Sequence, residues 1–283
     1  MADTATWCLR PWSIAPRERY GSSARVPVRS SCSHQDCVYL HPHSMSTVRT
    51  SFFIASLFLL FSCAEKVNPH ALMQSAREKM GKEDYLGAEK DLLAALQADS
   101  TFDSAHFLLG SLKQQLAQYD EAITHYNRAI QYNPNYPEAY NNRALCNGVS
   151  GNLEAEKADL DKALELNPRN QHAWYNRGNY WLDHNQPEKA VEDYSKAIEL
   201  VPDYSNAFFN RGEARFNLGD FSASYADYKM VTELTPDDGE AWFMLGNCCS
   251  RLDSLDKACT LWKKALELGY AEAKNPLQKN CSE

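Results

Sequence analysis

The sequence AWYNRGNYWLDHNQPEKAVEDYSKAIELVPDYSN, residues 173–206, decides the fold of this chain. Trp174 and Gly178 lie four residues apart on one face of a predicted helix, and the helical pattern breaks at Asn185. A second helical pattern follows and stops before Pro202, because proline cannot continue a helix. The stretch therefore predicts two short helices joined by a turn.

Six copies of this 34-residue unit follow one another over residues 71–274 without an insertion. A small residue recurs in every first helix, at Ala76, Gly110, Ala144, Gly178, Gly212 and Gly246. Units of this length cannot bury their apolar faces alone, so neighbouring units must stack into a continuous core. The repeat predicts an all-α protein, a right-handed α-solenoid of six helix-turn-helix units with a short C-terminal capping helix.

Most units combine an aromatic residue, a small residue, two alanines and a final proline at fixed offsets, and this order resembles the tetratricopeptide repeat (TPR) family. The resemblance covers about seven tenths of the chain. Departures from the pattern are local, with Glu156 and Ser224 at a position that usually holds alanine, and Ser100 in place of the proline of the first unit. The family implies a scaffold that binds other proteins, with no reaction, cofactor or small-molecule substrate of its own.

A different kind of segment precedes the repeats. Residues 45–62 begin with a polar stretch that contains Arg49, continue with an apolar run of about ten residues and end at Ser62. The run is short for a membrane span, which takes ~20 residues, but suits the core of a signal peptide. With Cys63 the segment resembles a bacterial lipoprotein signal, which implies lipidation of Cys63. An ordinary secretory signal and an uncleaved signal anchor are the alternatives.

The predicted organisation follows from these two modules. Residues 1–44 fit neither one, and we expect a disordered leader or a mis-assigned start, with translation beginning at Met45. The signal peptide takes 45–62, and a linker at 63–70 follows the lipidated cysteine. The predicted units are 71–104, 105–138, 139–172, 173–206, 207–240 and 241–274, with a cap at 275–283.

Charge argues against nucleic acid as a partner. The net charge is −8, and residues 1–62 hold six bases but only three acids, so the remainder is more acidic still. Nucleic-acid binding requires clustered lysine and arginine, which this surface lacks.

Motifs for catalysis and metal binding are missing from the sequence. It has no His-Glu-x-x-His, phosphate-binding glycine loop or nucleophile elbow, so no catalytic residue, metal or cofactor is predicted. Cys32 and Cys37 have poor spacing for a zinc site. Cys146 and Cys248 occupy the same repeat position and are predicted to be buried packing residues, and no disulfide framework is predicted.

Arginines recur at one position of the first helix in three units, and an aspartate follows each of them 16 residues later. Where leucine replaces the arginine, the aspartate is also replaced, as at Leu109 with His125 and Leu245 with Leu261. The first unit is the exception, because it keeps Asp91 opposite Ser75. This covariation predicts an ion pair inside each unit, because an arginine and a carboxylate can pair through two hydrogen bonds. The predicted pairs are Arg143–Asp159, Arg177–Asp193 and Arg211–Asp227.

An asparagine precedes each of these arginines, and the concave face made by the first helices is the predicted binding groove. Amides can pair with the backbone of an extended peptide and aromatic rings can hold its apolar side chains. The candidate groove residues are Asn142, Tyr175, Asn176, Asn179, Asp183, Phe209, Asn210, Glu213, Phe216, Phe243 and Asn247. The alternative is that these are solvated helix positions without a ligand.

Some TPR proteins clamp the carboxylates of a chaperone tail with lysine and arginine around an asparagine like Asn210. Here the matching positions hold Tyr175, Glu240 and Met244, so co-chaperone activity is not expected. The sequence thus predicts a lipid-anchored scaffold of the bacterial cell envelope that binds other proteins or extended peptides. A soluble periplasmic or secreted adaptor is the alternative, and an accessory subunit of an enzyme is a distant one.

Overall fold

The computed structural model describes residues 68–281, and this part of the chain is entirely helical. The leader, the signal peptide and the lipidation site at Cys63 lie outside the described residues. The helices are α1 Pro69–Gly81, α2 Tyr85–Ala98, α3 Asp103–Gln115, α4 Tyr119–Tyr132, α5 Pro137–Val149, α6 Leu153–Leu166, α7 Gln171–Asp183, α8 Pro187–Leu200, α9 Ser205–Asn217, α10 Phe221–Leu234, α11 Gly239–Arg251, α12 Leu255–Glu267 and α13 Lys274–Asn280. The predicted all-α solenoid is confirmed.

The helices repeat with the period of the sequence. Each first helix (α1, α3, α5, α7, α9 and α11) is 13 residues long and begins 34 residues after the previous one. Some starts are capped by side chains, as at Asn170, whose Oδ1 accepts hydrogen bonds from the backbone N–H groups of His172 and Ala173 at 3.1 Å. Within residues 68–281, none of the helices combines the length and the hydropathy that crossing a bilayer requires.

The turn between the two helices of a unit also repeats. One residue per turn has a positive φ, at Glu83, Ala117, Gly151, Asn185, Gly219 and Asp253. This left-handed conformation ends a helix and favours glycine or asparagine, so Asn185 breaks the helix where the sequence predicted a turn.

Small residues let the two helices of a unit pack closely. A Cβ atom added to Gly178 would lie 2.5 Å from the ring of Tyr194, and one added to Gly246 would lie 2.6 Å from that of Trp262. The aromatic ring of the second helix therefore lies directly on the backbone of the first.

First helices of neighbouring units also touch each other, from α1 through α3, α5 and α7 to α9. They lie on one side of the stack, which we call the inner face. Second helices pack instead against the first helix of the next unit. Side chains that point away from the second helices along α1 to α11 therefore share one continuous surface.

A short cap ends the stack, where a 3-10 turn at Ala271–Ala273 and α13 pack on α12. Cys281 after α13 forms a disulfide with Cys259 of α12. This bond was not predicted, because pairing depends on the cap folding back and the spacing of the two cysteines matches no motif. Cys146 and Cys248 are buried free thiols, as expected for packing residues.

Candidate protein-binding groove

The arginines of α5, α7 and α9 form hydrogen bonds to carboxylates within the protein. Arg177 donates from Nε and Nη2 to the two carboxylate oxygens of Asp193 at 2.7 and 2.9 Å, and Arg211 does the same to Asp227 at 3.0 and 2.7 Å. Arg143 pairs with Asp159 through the same two nitrogens. The aspartates are almost fully buried, at 2–6% exposure. These guanidinium groups hold the two helices of a unit together and do not line the groove.

A further contact of each arginine was not predicted. Arg177 Nη1 donates to Asp161 Oδ1 at 2.8 Å, and Arg211 Nη1 donates to Ser195 Oγ at 3.0 Å. Arg143 bonds Asn127 in the same way. These partners lie on the second helix of the preceding unit, so each arginine also links neighbouring units. The signal in the sequence was a polar residue 16 positions before each arginine.

The asparagines of the inner face bond to one another. Asn176 Nδ2 donates to Asn141 Oδ1 at 2.9 Å, and Asn141 donates to Asn142 at 3.1 Å. Asn210 Nδ2 donates to the Tyr175 hydroxyl at 3.1 Å and to Asn179 Oδ1 at 2.8 Å. Both amide hydrogens of Asn210 are thus engaged, and the asparagines bridge successive first helices.

Aromatic side chains form a row along the inner face. Tyr175, Phe209 and Phe243 are half-buried at equivalent positions of α7, α9 and α11. Their rings lie near those of residues in the adjoining elements, such as Tyr175 with Tyr204 and Phe243 with Tyr270, both at a centroid distance of 5.1 Å.

The row also includes Phe107, which sequence reasoning missed. Phe107 holds the same position in α3, and its ring lies 4.8 Å from that of Tyr136. The 34-residue step from Tyr175 back to Phe107 was available as a signal. Phe216, also on α9, packs against Phe221 at the start of α10 at a ring distance of 5.1 Å.

Acidic groups accompany the aromatic row. Burial raises the pKa of Glu213, and the nearby charge of Asp183 raises it further. Burial also raises the pKa of Glu240, with contributions from Asp238, Glu213 and Glu272. Neither Glu213 nor Glu240 forms a salt bridge with a residue of the described segment. Asn247 lies beyond them on α11, where its Oδ1 accepts the Trp262 indole N–H at 2.9 Å.

The groove therefore combines exposed ring surface with negative charge. Across residues 68–281, no group of three His, Cys, Asp or Glu side chains is placed to hold a metal ion. Such a surface suits the side chains of a polypeptide better than a small polar substrate.

Known protein families match most of the repeat region. Sequence models of the tetratricopeptide repeat match residues 172–204 and 209–273, and a TPR repeat model matches 115–147. A model of the protein prenyltransferase alpha subunit repeat matches 153–182. No curated protein matches the sequence.

Solved structures with the same fold include three helical-repeat proteins. PilF of Pseudomonas aeruginosa has a TM-score of 0.67 at 16% identity, and the match covers 75% of this chain and 96% of PilF. PilW, a type IV pilus biogenesis factor, has a TM-score of 0.65 at 20% identity and covers 76% and 98%. YrrB, described as a TPR protein with an unusual peptide-binding site, has a TM-score of 0.59 at 20% identity and covers 66% and 97%. At such identities the likeness shows the fold, a solenoid of helix pairs, and tetratricopeptide repeats are recognised within it at residues 115–147, 172–204 and 209–273.

Proposed function

We propose that this chain is a lipid-anchored scaffold of a bacterial cell envelope that binds an extended segment of another protein along its inner face. One observation carries the binding proposal. Phe107, Tyr175, Phe209 and Phe243 form a row of half-buried rings beside carboxylates that no described cation neutralises. Partly exposed aromatic rings are typical of protein interfaces.

The fold supports the same proposal. A TPR stack offers a long continuous surface rather than a closed pocket, which suits an extended ligand. YrrB, which has this fold, is described as having a peptide-binding site. The acidic inner face disfavours nucleic acid, so we propose proteins or peptides as the partners.

Location in the envelope rests on two features. The first is the signal-like segment 45–62 followed by Cys63. The second is the Cys259–Cys281 disulfide, since disulfides persist in oxidising compartments such as the periplasm. A lipid on Cys63 would add membrane affinity of ~0.8 kcal/mol per buried methylene.

Membrane anchoring is tested with Cys63→Ala in a bacterial host. We expect the unchanged chain in the membrane fraction with incorporated radiolabelled palmitate, and the variant in the soluble fraction without label. Retention of Cys63→Ala in the membrane would contradict lipid anchoring and favour the signal anchor. A soluble, unlabelled wild-type chain would favour the periplasmic or secreted adaptor.

Groove binding is tested by pull-down from detergent-solubilised membranes, with Tyr175→Ser and Phe209→Ser combined in one variant. Both rings are half-buried on the inner face, so we expect the partner bands of the wild type to disappear. The matched control combines Leu86→Ser and Leu93→Ser on α2, where these leucines are 83% and 51% exposed on a second helix. Equal capture by all three proteins would contradict the groove.

An accessory subunit of an enzyme is the distant alternative. The prenyltransferase-type match at 153–182 covers α6 and α7, which belong to two different TPR units. The match is therefore out of phase with the 34-residue unit, and it adds little to the case for an enzyme.

A further inference from the structure

One hydrogen bond recurs between the two helices of the units. The polar tip of the second-helix aromatic residue donates to the residue 15 positions before it. Tyr126 donates to Ser111 at 3.2 Å, Tyr194 to Asn179 at 2.7 Å, and Trp262 to Asn247 at 2.9 Å. In the third unit, Leu160 replaces the aromatic donor and Leu145 replaces the acceptor, so neither partner of the hydrogen bond is present.

The fifth unit has the aromatic donor but lacks this hydrogen bond. Its two positions hold Glu213 and Tyr228. Tyr228 is fully buried, and its hydroxyl has no hydrogen-bond partner within the described residues. A buried polar group without a partner is destabilising, so it calls for an explanation. The hydroxyl end of the ring lies over Gly212, whose added Cβ would be 3.2 Å from Tyr228 Cζ, next to Glu213 in the chain.

Glu213 itself has no counter-ion among residues 68–281. The charges that act on it and on its neighbour Glu240 are negative, namely those of Asp183, Asp238 and Glu272. Arg211 and Arg215, which lie on the same helix, both pair with Asp227 at 2.7 Å. Residues 68–281 therefore hold a half-buried carboxylate on the inner face and no cation that neutralises it.

Aromatic residues share the helix face of Glu213, since Phe209 lies four residues before it on α9. Asn210, three residues before Glu213 on α9, donates to the Tyr175 hydroxyl at 3.1 Å. The charge of Glu213 also adds to the raised pKa of Tyr175, of which burial is the main cause. Phe209 lies edge-on to Tyr228 at a ring distance of 5.2 Å. Rings beside a carboxylate suit an organic cation, because the ring faces attract it while the carboxylate accepts its hydrogen bonds.

We propose that Glu213 binds a lysine or arginine side chain of the partner segment, so that the ligand of this groove is a basic peptide. One oxygen of Glu213 accepts the ligand N–H, and the other accepts the Tyr228 hydroxyl hydrogen once the side chain turns towards it. Tyr175 and Phe209 line the approach of the cation. This inference rests on the proposed function, because it requires that the inner face binds a polypeptide. A metal ion fits less well, since no three-ligand group for one exists within residues 68–281.

The test uses fluorescein-labelled nonapeptides on an alanine-serine background, with lysine, arginine, leucine or glutamate at three alternate positions. Fluorescence anisotropy with the full chain gives the Kd of each peptide. We expect lysine and arginine peptides to bind at least ~10-fold more tightly than leucine or glutamate peptides, and less tightly as salt is added. The wild-type comparison alone tests the charge preference, so the test does not depend on the folding of a variant.

Substitutions then test whether the preference for basic peptides depends on Glu213 and Tyr228. Glu213→Gln keeps the shape of the side chain and should reduce binding of the lysine peptide to that of the leucine peptide. Tyr228→Phe should weaken it by a smaller factor. The matched control is Glu192→Gln on the outer helix α8, which removes the same charge from an exposed site and should leave every Kd unchanged.

Two outcomes would overturn the inference, and only one of them would also contradict the proposed function. Peptides that bind without a preference for lysine or arginine, or equally to Glu213→Gln, would contradict the cation site and leave groove binding intact. No binding of any peptide would contradict the cation site and the proposed function together.

Discussion

Two charged regions of this solenoid differ in one respect, which is whether their charges are paired. Between the helices, Asp159, Asp193 and Asp227 are almost fully buried and each forms a bidentate pair with an arginine. On the inner face, Glu213 and Glu240 are less buried and have no internal cation within residues 68–281. The difference indicates that the first set stabilises the stack, and it is the basis on which we propose a ligand site at the second.

The largest expected effect comes from breaking a paired charge. Asp227→Asn leaves Arg211 and Arg215 without their shared carboxylate, and removing one partner of a buried pair typically costs about 3–5 kcal/mol. Urea unfolding followed by circular dichroism measures the loss. The control Asp237→Asn changes an exposed loop residue and should shift the midpoint little. A shift as small as that of the control would show that the pairs do not stabilise the stack.

The second-largest expected loss of stability comes from removing the disulfide at the end of the stack. Cys281→Ser removes the disulfide that holds the cap on α12, and we expect a loss of about 2–4 kcal/mol. Dithiothreitol should lower the stability of the wild type to that of the variant and leave the variant unchanged. If Cys281→Ser unfolds at the same urea concentration as the oxidised wild type, the disulfide contributes nothing to stability.

A pair of tyrosines extends the comparison to neutral groups. Tyr126 and Tyr228 are both fully buried at equivalent positions, but only the hydroxyl of Tyr126 has partners, Ser111 and Gln114. Tyr126→Phe should therefore lower the free energy of unfolding by about 1 kcal/mol, whereas Tyr228→Phe should leave it unchanged or raise it. Thermal melting of the two variants in parallel makes the comparison. Equal losses would mean that the Tyr228 hydroxyl is partnered in solution.

The smallest expected effect is the pH dependence of Glu213. Burial and Asp183 raise its pKa above that of the unfolded chain, so the folded state binds the proton more tightly. The penalty of the buried charge is therefore absent below the ordinary pKa of 4.5 and appears as pH rises through the folded pKa. Asp183, Glu240, Tyr175 and Tyr228 face this group, and all of them are neutral or negative.

Glu213→Gln should consequently be more stable than the wild type at pH 7, and the difference should vanish near pH 4. Melting curves from pH 4 to 8 provide the measurement, with Glu192→Gln as the exposed control. A wild type that is the more stable protein at pH 7 would indicate that Glu213 has an internal cation after all.

The repeat made much of this arrangement predictable from the sequence. Comparison of the six units predicted the pairing of Arg177 with Asp193, because both residues are replaced together in two other units. The further bond from Arg177 to Asp161 was not predicted, since that position varies and lies in the preceding unit. The Cys259–Cys281 disulfide depends on the path of the cap, which no repeat specifies.

The groove was harder to predict for a physical reason. The sequence placed Asn210 on the inner face, but could not show that its amide hydrogens are used by Tyr175 and Asn179. The sequence also placed Glu213 in the candidate groove, but only as one of several polar residues there. The lack of a counter-ion becomes visible only when the neighbours from three helices are in place.

The most direct test of binding on the inner face is photo-crosslinking in the native organism. The photoreactive residue p-benzoylphenylalanine would replace Phe209 on the inner face in one strain and Tyr132, which is 38% exposed on α4, in another. We expect irradiation to yield a discrete crosslinked partner from position 209 and none from position 132. Crosslinks from position 132 alone, or the same crosslinks from both, would contradict binding on the inner face.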